Sequence, residues 1–422
     1  MTSVLTDPSL LSVAAPFGAA TNLACRECGA TYDLGPSHVC ELCFGPLEIA
    51  YDEAQLRSVS RESIQAGPQT MWRYAGLLPV QPVVDLQVGI SRLHRADNLA
   101  RELGMKTLWV KDESGNPTHS FKDRVVAVAA SAARTLGFEV LSCASTGNLA
   151  NAVAAAAARA GMRSVVFIPH DLEPGKVVTT AVYGGTLVAV EGNYDDVNRL
   201  CAEVSGEQED WAFVNVNVRP FYAEGSKTVG YEIAEQLGWR LPEQVVVPIA
   251  SGALLTKVDK AWREFGSLGL VEPTPYRVFG AQATGCSPVS AAFKAGHDVV
   301  APVRPSTIAK SLAIGNPADG IYALDVVRRT GGAIADVSDD EVVEGIRLLA
   351  RTEGIFGETA GGVTVAVLRS LLASGQLDPA AETVILNTGD GLKTLDAVAP
   401  VAKPTVTIPP SLAAFRASGV LQ

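Results

Sequence analysis

Residues 116–124 read NPTHSFKDR, and the interpretation of the whole chain starts from this stretch. Pro117 ends an extended segment, and Ser120 is a good N-cap residue for a helix that begins near Phe121. Lys122 would then lie in the first helical turn, where free backbone N–H groups and the helix dipole disfavour another cation. Such a setting lowers the pKa of an amine and suits covalent chemistry at its nitrogen. A surface lysine in a charged first turn is the alternative.

Outward from this stretch, from about residue 105 onward, short β-branched segments alternate with alanine-rich or amphipathic ones. The predicted strands cover residues 107–110, 141–144, 164–169, 186–190, 213–217, 244–249, 277–282 and 383–387. The predicted helices include residues 121–136, 149–160, 195–204, 225–237 and 339–352. Apolar strands separated by helices are typical of parallel α/β sheets. The sequence therefore predicts an α/β fold with mainly parallel sheets.

Three of the predicted strands end in short turns rich in Gly, Ser or Asn, at residues 145–148, 250–253 and 387–391. Ligands of open α/β sheets bind beyond the carboxyl ends of the strands. In the first turn, Gly147 permits an unusual backbone angle, and the free N–H groups at the following helix start suit a carboxylate. We therefore expect the functional site at these turns, although each alone is also consistent with an ordinary strand-to-helix connection.

Composition and charge exclude several classes of protein. Hydrophobic residues make up 47% of the 422 residues and charged residues 19%, so the chain has enough core material for two domains. Asp and Glu outnumber Lys and Arg by 45 to 34, and this acidic balance argues against a nucleic-acid or anionic-membrane partner. The start of the chain lacks a basic segment and a long apolar run, so we expect a cytoplasmic protein without a signal peptide.

The cysteines near the N-terminus form two Cys-x-x-Cys pairs that are separated by eleven residues. The pairs consist of Cys25, Cys28, Cys40 and Cys43. Two such pairs place four thiolates around one tetrahedral Zn²⁺ in a small ribbon. No further ligand is evident, so we expect a structural zinc, with His38 nearby either in contact with a zinc ligand or as a bystander. Four unligated thiols are the alternative.

The segment 116–124 resembles the Pro-Thr-x-Ser-Phe-Lys-Asp-Arg signature of the threonine synthase branch of the fold type II pyridoxal-phosphate enzymes. The resemblance extends over residues 79–396. It implies two α/β domains with mainly parallel sheets, a homodimer, and conversion of O-phospho-L-homoserine and water to L-threonine and phosphate. It also implies that Lys122 binds pyridoxal 5′-phosphate covalently and is the catalytic residue. Many family members have Gly where this chain has His119.

The resemblance assigns further residues to the cofactor and to the amino-acid substrate. The implied cofactor contacts are Phe121, Lys122, Asn148, Ala250, Ser251, Gly252, Ala253, Leu254 and Thr388. Within this set, Asn148 would bind the 3′-hydroxyl, the 250–254 turn would hold the phosphate, and Thr388 would face the pyridine nitrogen. The implied substrate contacts are Ser120, Ser145, Thr146, Gly147, Asn148 and Arg219.

The segment 215–228 departs from the family pattern. Its Glu-Gly-Ser-Lys-Thr end resembles the family's Glu-Gly-Gln-Lys-Thr, but Arg219 stands where the family has Asn and Tyr222 stands where it has Arg. Arg219 is therefore either a displaced phosphate ligand or a solvated loop charge. The departure also leaves open a related β-replacement enzyme, such as a cysteate synthase-like or sulfur-incorporating one. A non-catalytic paralogue that binds partners through its zinc ribbon is a third interpretation, which the retained Lys122 disfavours.

The predicted organisation has five parts. They are a flexible arm (1–20), a zinc-ribbon-like segment (21–53), a large cofactor-binding domain (54–135 and 222–400), a small α/β domain (136–221) and a C-terminal arm (401–422).

Overall fold

The computed structural model describes residues 16–420, which form three β-sheets and the helices that cover them. The strands are β1 (Ala20–Cys25), β2 (Thr31–Tyr32), β3 (Leu47–Tyr51), β4 (Arg92–Arg95), β5 (Leu108–Asp112), β6 (Val140–Ala144), β7 (Arg163–Pro169), β8 (Thr186–Val190), β9 (Trp211–Phe213), β10 (Gln244–Pro248), β11 (Arg277–Ala283), β12 (Ile334–Val337) and β13 (Thr383–Asn387).

Helices connect most of these strands. They are α1 (Glu53–Leu56), α2 (Arg61–Gln65), α3 (Asp97–Leu103), α4 (Lys122–Thr135), α5 (Asn148–Ala160), α6 (Pro174–Ala181), α7 (Tyr194–Glu207), α8 (Arg219–Gly225), α9 (Lys227–Gln236), α10 (Ala253–Ser267), α11 (Pro288–Ala295), α12 (Gly320–Arg329), α13 (Asp339–Glu353), α14 (Thr359–Ala373), α15 (Leu395–Val398) and α16 (Leu412–Ala417). Within residues 16–420, no helix combines the length and apolar character needed to cross a membrane.

The largest sheet has six strands in the order β12-β11-β10-β13-β5-β4. All neighbouring strands run parallel except β4, which pairs antiparallel with β5. Every residue of β10 and β13 is buried, because helices cover both faces of the sheet. A second sheet, in the order β8-β7-β6-β9, is entirely parallel. The predicted α/β class with mainly parallel sheets is confirmed.

The third sheet is a small antiparallel one, in the order β2-β1-β3, and it carries the four N-terminal cysteines on or beside its strands. It spans residues 20–51, close to the predicted ribbon-like segment. An arm was predicted over residues 1–20, and its first 15 residues lie outside the described residues. Residues 16–19 form a turn, and Ala20 already belongs to β1. At the other end, residues 401–411 have little regular structure before the exposed helix α16.

Two alanine-rich helices connect the sheets to the site. Helices α4 and α5 pack against each other, and nearly all of their residues are buried. Helix α8 packs on the other side of α4 so closely that a Cβ on Gly225 would lie 2.6 Å from the carbonyl oxygen of Arg124. Small side chains permit this approach, and it fixes the start of α4 between the two parallel sheets.

Some predicted boundaries were wrong. The strand predicted at residues 213–217 ends at Phe213, because the Asn217 side chain accepts a hydrogen bond from the Phe213 N–H and closes a turn. The helix predicted from residue 225 has a separate helix before it, α8, whose second residue is Pro220. Strands β4 and β12 were not predicted.

Candidate functional site

A cavity of about 400 Å³ opens where the carboxyl ends of β6, β10 and β13 face the start of α4. Most of the residues predicted for the site line it. They are Phe121, Lys122, Ser145, Thr146, Asn148, Arg219, Ala250, Ser251, Gly252, Ala253, Leu254 and Thr388. Two predicted residues, Ser120 and Gly147, are not part of its wall and lie in the loops behind it. The chemical roles assigned to these residues stay predictions.

Lys122 is the first residue of α4, and its side chain reaches the cavity. Its Nζ donates a hydrogen bond to the hydroxyl of Tyr222 at 2.7 Å and lies 4.7 Å from the centre of the Phe121 ring. Burial lowers the pKa of Lys122 to about 8, and the nearby Glu358 carboxylate opposes that effect. The low pKa expected from the sequence is therefore present, but desolvation causes it.

The loop before α4 is held by hydrogen bonds that the sequence did not indicate. Asp123 accepts bonds from the backbone N–H and the hydroxyl of Thr118, both at 2.7 Å. The N-cap of α4 is Phe121, not Ser120, and it lacks a side-chain cap. The Ser120 hydroxyl is buried without a hydrogen-bond partner among residues 16–420, so the predicted cap is wrong. His119 adopts a φ of 62°, the left-handed conformation that Gly readily adopts.

Arg124, two residues after Lys122, has a structural role and is held in a buried network of ion pairs. It is fully buried and forms paired hydrogen bonds with Glu113 at 2.6 and 2.9 Å and with Glu232 at 2.6 and 2.7 Å. Glu232 also accepts a bond from the buried Lys111 at 2.8 Å. Although burial raises the pKa of Glu232, the two cations lower it to about 2. This network fixes α4, and with it Lys122, against β5 and α9.

The 145–148 turn leads into α5 and ends at Asn148. Two neighbouring side chains fix the side-chain amide of Asn148. The Asn148 Nδ2 donates to both carboxylate oxygens of Glu358 at 2.9 Å, and its Oδ1 accepts a bond from Lys393 at 3.1 Å. Burial lowers the pKa of Lys393 to about 8, and Glu358 opposes that effect. Gly147 has a φ of 121°, and a Cβ there would overlap the Lys176 side chain. Asn148 is thus held in one orientation at the cavity wall.

The 250–254 turn follows β10 and begins α10, which has no side-chain cap. Gly252 has a φ of 96°, and a Cβ on it would lie 2.7 Å from the Asp319 carbonyl oxygen. The Ser251 carbonyl accepts a hydrogen bond from the Asp319 N–H at 2.8 Å. The Ala253 N–H of the first helical turn has only a long hydrogen bond to the Ser251 hydroxyl, at 3.4 Å, so this turn suits an anion.

The segment that departs from the family pattern forms α8. Arg219 lies in its first turn, with only 18% of its side chain exposed, and pairs with Asp319 at 2.6 Å. Arg219 is therefore not a solvated loop charge. Tyr222, one turn later, points its hydroxyl at Lys122. The following residues Glu224 and Lys227 are fully buried in ion pairs, so that part of the motif is structural.

The turn after β13 brings the last predicted residue to the cavity. Thr388 is buried, and its carbonyl oxygen accepts a hydrogen bond from the Phe121 N–H at 3.0 Å. This bond connects the 387–391 turn directly to the start of α4. Thr388 and Lys122 consequently lie on the same wall of the cavity.

The four N-terminal cysteines converge. Their sulfur atoms all lie within 4.8 Å of one another, with 3.4 Å between Cys25 and Cys43 and 3.6 Å between Cys28 and Cys40. The corners of a tetrahedron with Zn–S distances of about 2.3 Å are about 3.8 Å apart, so the cluster has the size of a zinc site. His38, predicted either to contact a zinc ligand or to be a bystander, lines the cavity, and burial and the Arg219 charge lower its pKa.

Three residues of the site were missed: Glu358, Asp319 and Lys393. Glu358 is the N-cap residue of α14, and Asp319 precedes α12. Each lies about 100 residues or more from its partner in the chain. Within the sequence only the position of Lys393 just after the 387–391 turn could have indicated one of them.

Comparison with known proteins places this site in a family. The family model for pyridoxal-phosphate dependent enzymes matches residues 84–389. The threonine synthase of Methanocaldococcus jannaschii is 39% identical over 380 residues, which cover 88% of this chain and 93% of that protein. The threonine synthase of Methanosarcina acetivorans is 35% identical over 94% of this chain and 98% of its own length. The threonine synthase of Mycobacterium tuberculosis is 33% identical over 79% of this chain and 90% of its own length.

Solved structures share the fold at lower identity. Maize serine racemase superimposes with a TM-score of 0.58 at 22% identity, covering 71% of this chain and 89% of its own. An O-ureido-L-serine synthase superimposes with a TM-score of 0.59 at 21% identity, and the match covers 78% of this chain and 96% of that protein. With a family model that spans most of the chain and relatives above 30% identity over nearly all of it, the chain belongs to the pyridoxal-phosphate dependent enzymes and, within them, to the threonine synthase family.

Proposed function

We propose that the chain is a threonine synthase that converts O-phospho-L-homoserine and water to L-threonine and phosphate. One observation carries the proposal: Lys122 lies in a cavity whose wall also includes Asn148, Thr388 and the 250–254 turn. These elements come from four distant parts of the chain. The threonine synthases of several organisms, similar over most of this chain, support the same activity.

The described residues fit pyridoxal 5′-phosphate. The uncapped start of α10, with Gly252 keeping its backbone free of a side chain, suits the phosphate. Lys122 would supply the amine, Asn148 would bind the 3′-hydroxyl, and Thr388 would offer a neutral hydroxyl to the ring nitrogen. When bound, this cofactor supplies an electron sink for negative charge that develops on the substrate.

The residues of the chain then have separate tasks. The reaction removes protons from the substrate Cα and Cβ and returns protons at Cγ and Cα. Because its pKa is about 8, the Lys122 amine can hold or release a proton near neutral pH, so it can carry them. The start of α5, with Thr146 beside it, suits the α-carboxylate, although the Ser145 hydroxyl already accepts hydrogen bonds from the Gly147 and Ala150 N–H groups at 2.9 and 2.8 Å. Tyr222 keeps the Lys122 nitrogen in place.

The end of the site that receives the leaving group favours a second candidate. Asp319 already compensates the charge of Arg219, and Tyr222 replaces a family arginine, so this end has less free positive charge for a leaving phosphate than the family pattern provides. A β-replacement enzyme that uses a different leaving group or nucleophile, cysteate synthase-like or sulfur-incorporating, is therefore the alternative.

One assay separates the two candidates. Purified holoenzyme is incubated with O-phospho-L-homoserine, and threonine and phosphate are both quantified. Equimolar formation of the two products supports the threonine synthase. If neither forms, while an amino acid with an uncharged β-leaving group, such as O-acetyl-L-serine, yields a new amino acid with sulfite or sulfide, the β-replacement enzyme is the correct assignment. Lys122→Ala serves as the inactive control in both reactions.

We also propose that the four-cysteine cluster binds one structural Zn²⁺. Its support is the approach of the four sulfur atoms together with a hydrogen bond between the Tyr32 hydroxyl and Cys40 at 3.1 Å, the kind of contact that orients a metal ligand. Metal analysis of the purified protein tests it: one zinc per chain is expected, and Cys28→Ser should lower that value. A zinc-free protein with full stability would contradict it.

The remaining assignments stay predictions. We propose a homodimer in the cytoplasm, with an amino-acid substrate as its small-molecule partner. We also propose a large domain of residues 54–135 and 222–400 and a small domain of residues 136–221. Light scattering of the purified protein measures whether it is a dimer, and limited proteolysis maps the domain boundaries.

A further inference from the structure

The loop that carries the second cysteine pair also lines the cavity that contains Lys122. We call residues 38–46 the ribbon loop. Its cavity-lining residues are His38, Val39, Phe44 and Pro46. The ribbon is thus adjacent to the site, although nearly 80 residues separate its end from Lys122 in the sequence.

The shape of the ribbon loop depends on its two cysteines. An antiparallel bridge between Val39 and Pro46 closes it. Inside, the Phe44 N–H donates to the Cys40 carbonyl at 3.0 Å, and the Cys40 N–H donates to the Gly45 carbonyl at 2.8 Å. Phe44 has a φ of 59°, a conformation that a bulky residue keeps only when its surroundings impose it. A metal bound to the cysteines would hold this conformation.

Buried charges fix the ribbon on the helices of the site. The Tyr51 hydroxyl donates to Glu224 of α8 at 2.7 Å, and Lys257 of α10 binds both Glu48 at 2.9 Å and Glu224 at 2.8 Å. Helix α8 carries Arg219 and Tyr222, and α10 begins at the 250–254 turn. The guanidinium of Arg26 also lies 3.5 Å from the centre of the Tyr322 ring on α12. The ribbon therefore keeps a fixed position relative to the site.

We infer that the ribbon loop is a wall of the substrate cavity, so that this metal-binding module shields the cavity from solvent and determines substrate affinity without contributing to cofactor binding. The inference rests on the proposed function only for the identity of the substrate. Two apolar residues in the loop make it testable. Phe44 lines the cavity and is 81% exposed, whereas Leu42 is 77% exposed and does not line it.

The experiment compares Phe44→Ala with Leu42→Ala as a matched control, both as zinc-containing holoenzymes. Two kinds of measurement are made: the rate at which hydroxylamine bleaches the bound cofactor, and the steady-state kinetics (KM and kcat) with O-phospho-L-homoserine. Phe44→Ala should be bleached several-fold faster and should have a KM raised about tenfold, which corresponds to about 1.4 kcal/mol of binding free energy. Leu42→Ala should match the wild type in both, and both variants should keep their cofactor absorbance and zinc content.

A second variant, Cys40→Ser/Cys43→Ser, tests the contribution of the metal. It should lose zinc, keep the visible absorbance of bound cofactor, and show the same faster bleaching and higher KM as Phe44→Ala.

Equal bleaching rates for Phe44→Ala and Leu42→Ala would overturn the inference, and so would loss of cofactor together with zinc in the double variant. A wild type that does not turn over O-phospho-L-homoserine would contradict the proposed function. The bleaching rates would still decide whether the ribbon loop is a wall.

Discussion

Replacing Lys122 by Met should stabilise the cofactor-free chain while abolishing activity. Below pH 8 the wild type carries a charged amine in the cavity, and burial has lowered the pKa of that amine from 10.5 to about 8. A fall of this size corresponds to about 3 kcal/mol, an upper value because the side chain reaches the open cavity. Met has a similar length and no charge to desolvate. The variant should therefore be up to about 3 kcal/mol more stable at pH 7.

The pH dependence has a defined sign. Between pH 8 and 10.5 the unfolded chain binds a proton on Lys122 that the folded chain has released, so the stability of the wild type rises with pH. The advantage of Lys122→Met should thus be full at pH 7 and fall to about 1 kcal/mol near pH 9.5.

Urea denaturation of both cofactor-free proteins at these two pH values measures the difference. Lys106→Met, at an exposed position, is the neutral control. Arg124→Met should show the opposite sign, with a loss of about 3–5 kcal/mol, because it leaves Glu113 and Glu232 without their shared partner. An advantage of Lys122→Met that is absent at pH 7, or that grows with pH, would refute the reasoning.

Three further predictions concern single residues. Gly252→Ala should weaken cofactor binding at least about tenfold, because the new methyl would lie 2.7 Å from the Asp319 carbonyl oxygen and the φ of residue 252 is 96°. Cofactor titration of the apoprotein measures the affinity, and Gly266→Ala is the unstrained control. Tyr222→Phe removes the acceptor at 2.7 Å from the Lys122 amine, so the pKa of Lys122 should fall by about one further unit in the apoprotein; an unchanged pH profile of lysine labelling would count against this contact. Glu232→Gln should destabilise the chain by about 3 kcal/mol at pH 7. Acid unfolding should show a smaller loss of stability between pH 4.5 and 2, because in that range the unfolded wild type binds a proton at this carboxylate and the folded wild type does not.

The sequence predicted the central strands well because they are buried on both faces. Strands β10 and β13 are continuous apolar segments, and such segments can be recognised without knowing their neighbours. Strand β4 reads RLHR, which has no apolar pattern, and it exists because β5 offers it backbone partners. Strand β12 has only four residues, one of them Asp336. Their pairing, and not their composition, makes them strands.

In the site as well, features with a local sequence pattern could be predicted, and contacts between distant residues could not. Residues in the turns after a strand, such as Asn148 and Thr388, line the cavity because chain direction alone brings strand ends together. The contacts of Asn148 with Glu358 and of Arg219 with Asp319 join residues 210 and 100 positions apart. No local pattern records such pairs. The cap assigned to Ser120 was wrong because hydrogen bonds from the N–H and hydroxyl of Thr118 to the Asp123 carboxylate determine the loop instead.

The exposed edge of the six-stranded sheet has a consequence for assembly. Strand β4 ends the sheet, has only four residues and presents the exposed side chains of Arg92 and Arg95. Two copies that met along this edge would bring their arginines together and would gain few backbone hydrogen bonds. Growth of a continuous sheet from chain to chain is thus disfavoured at the β4 edge.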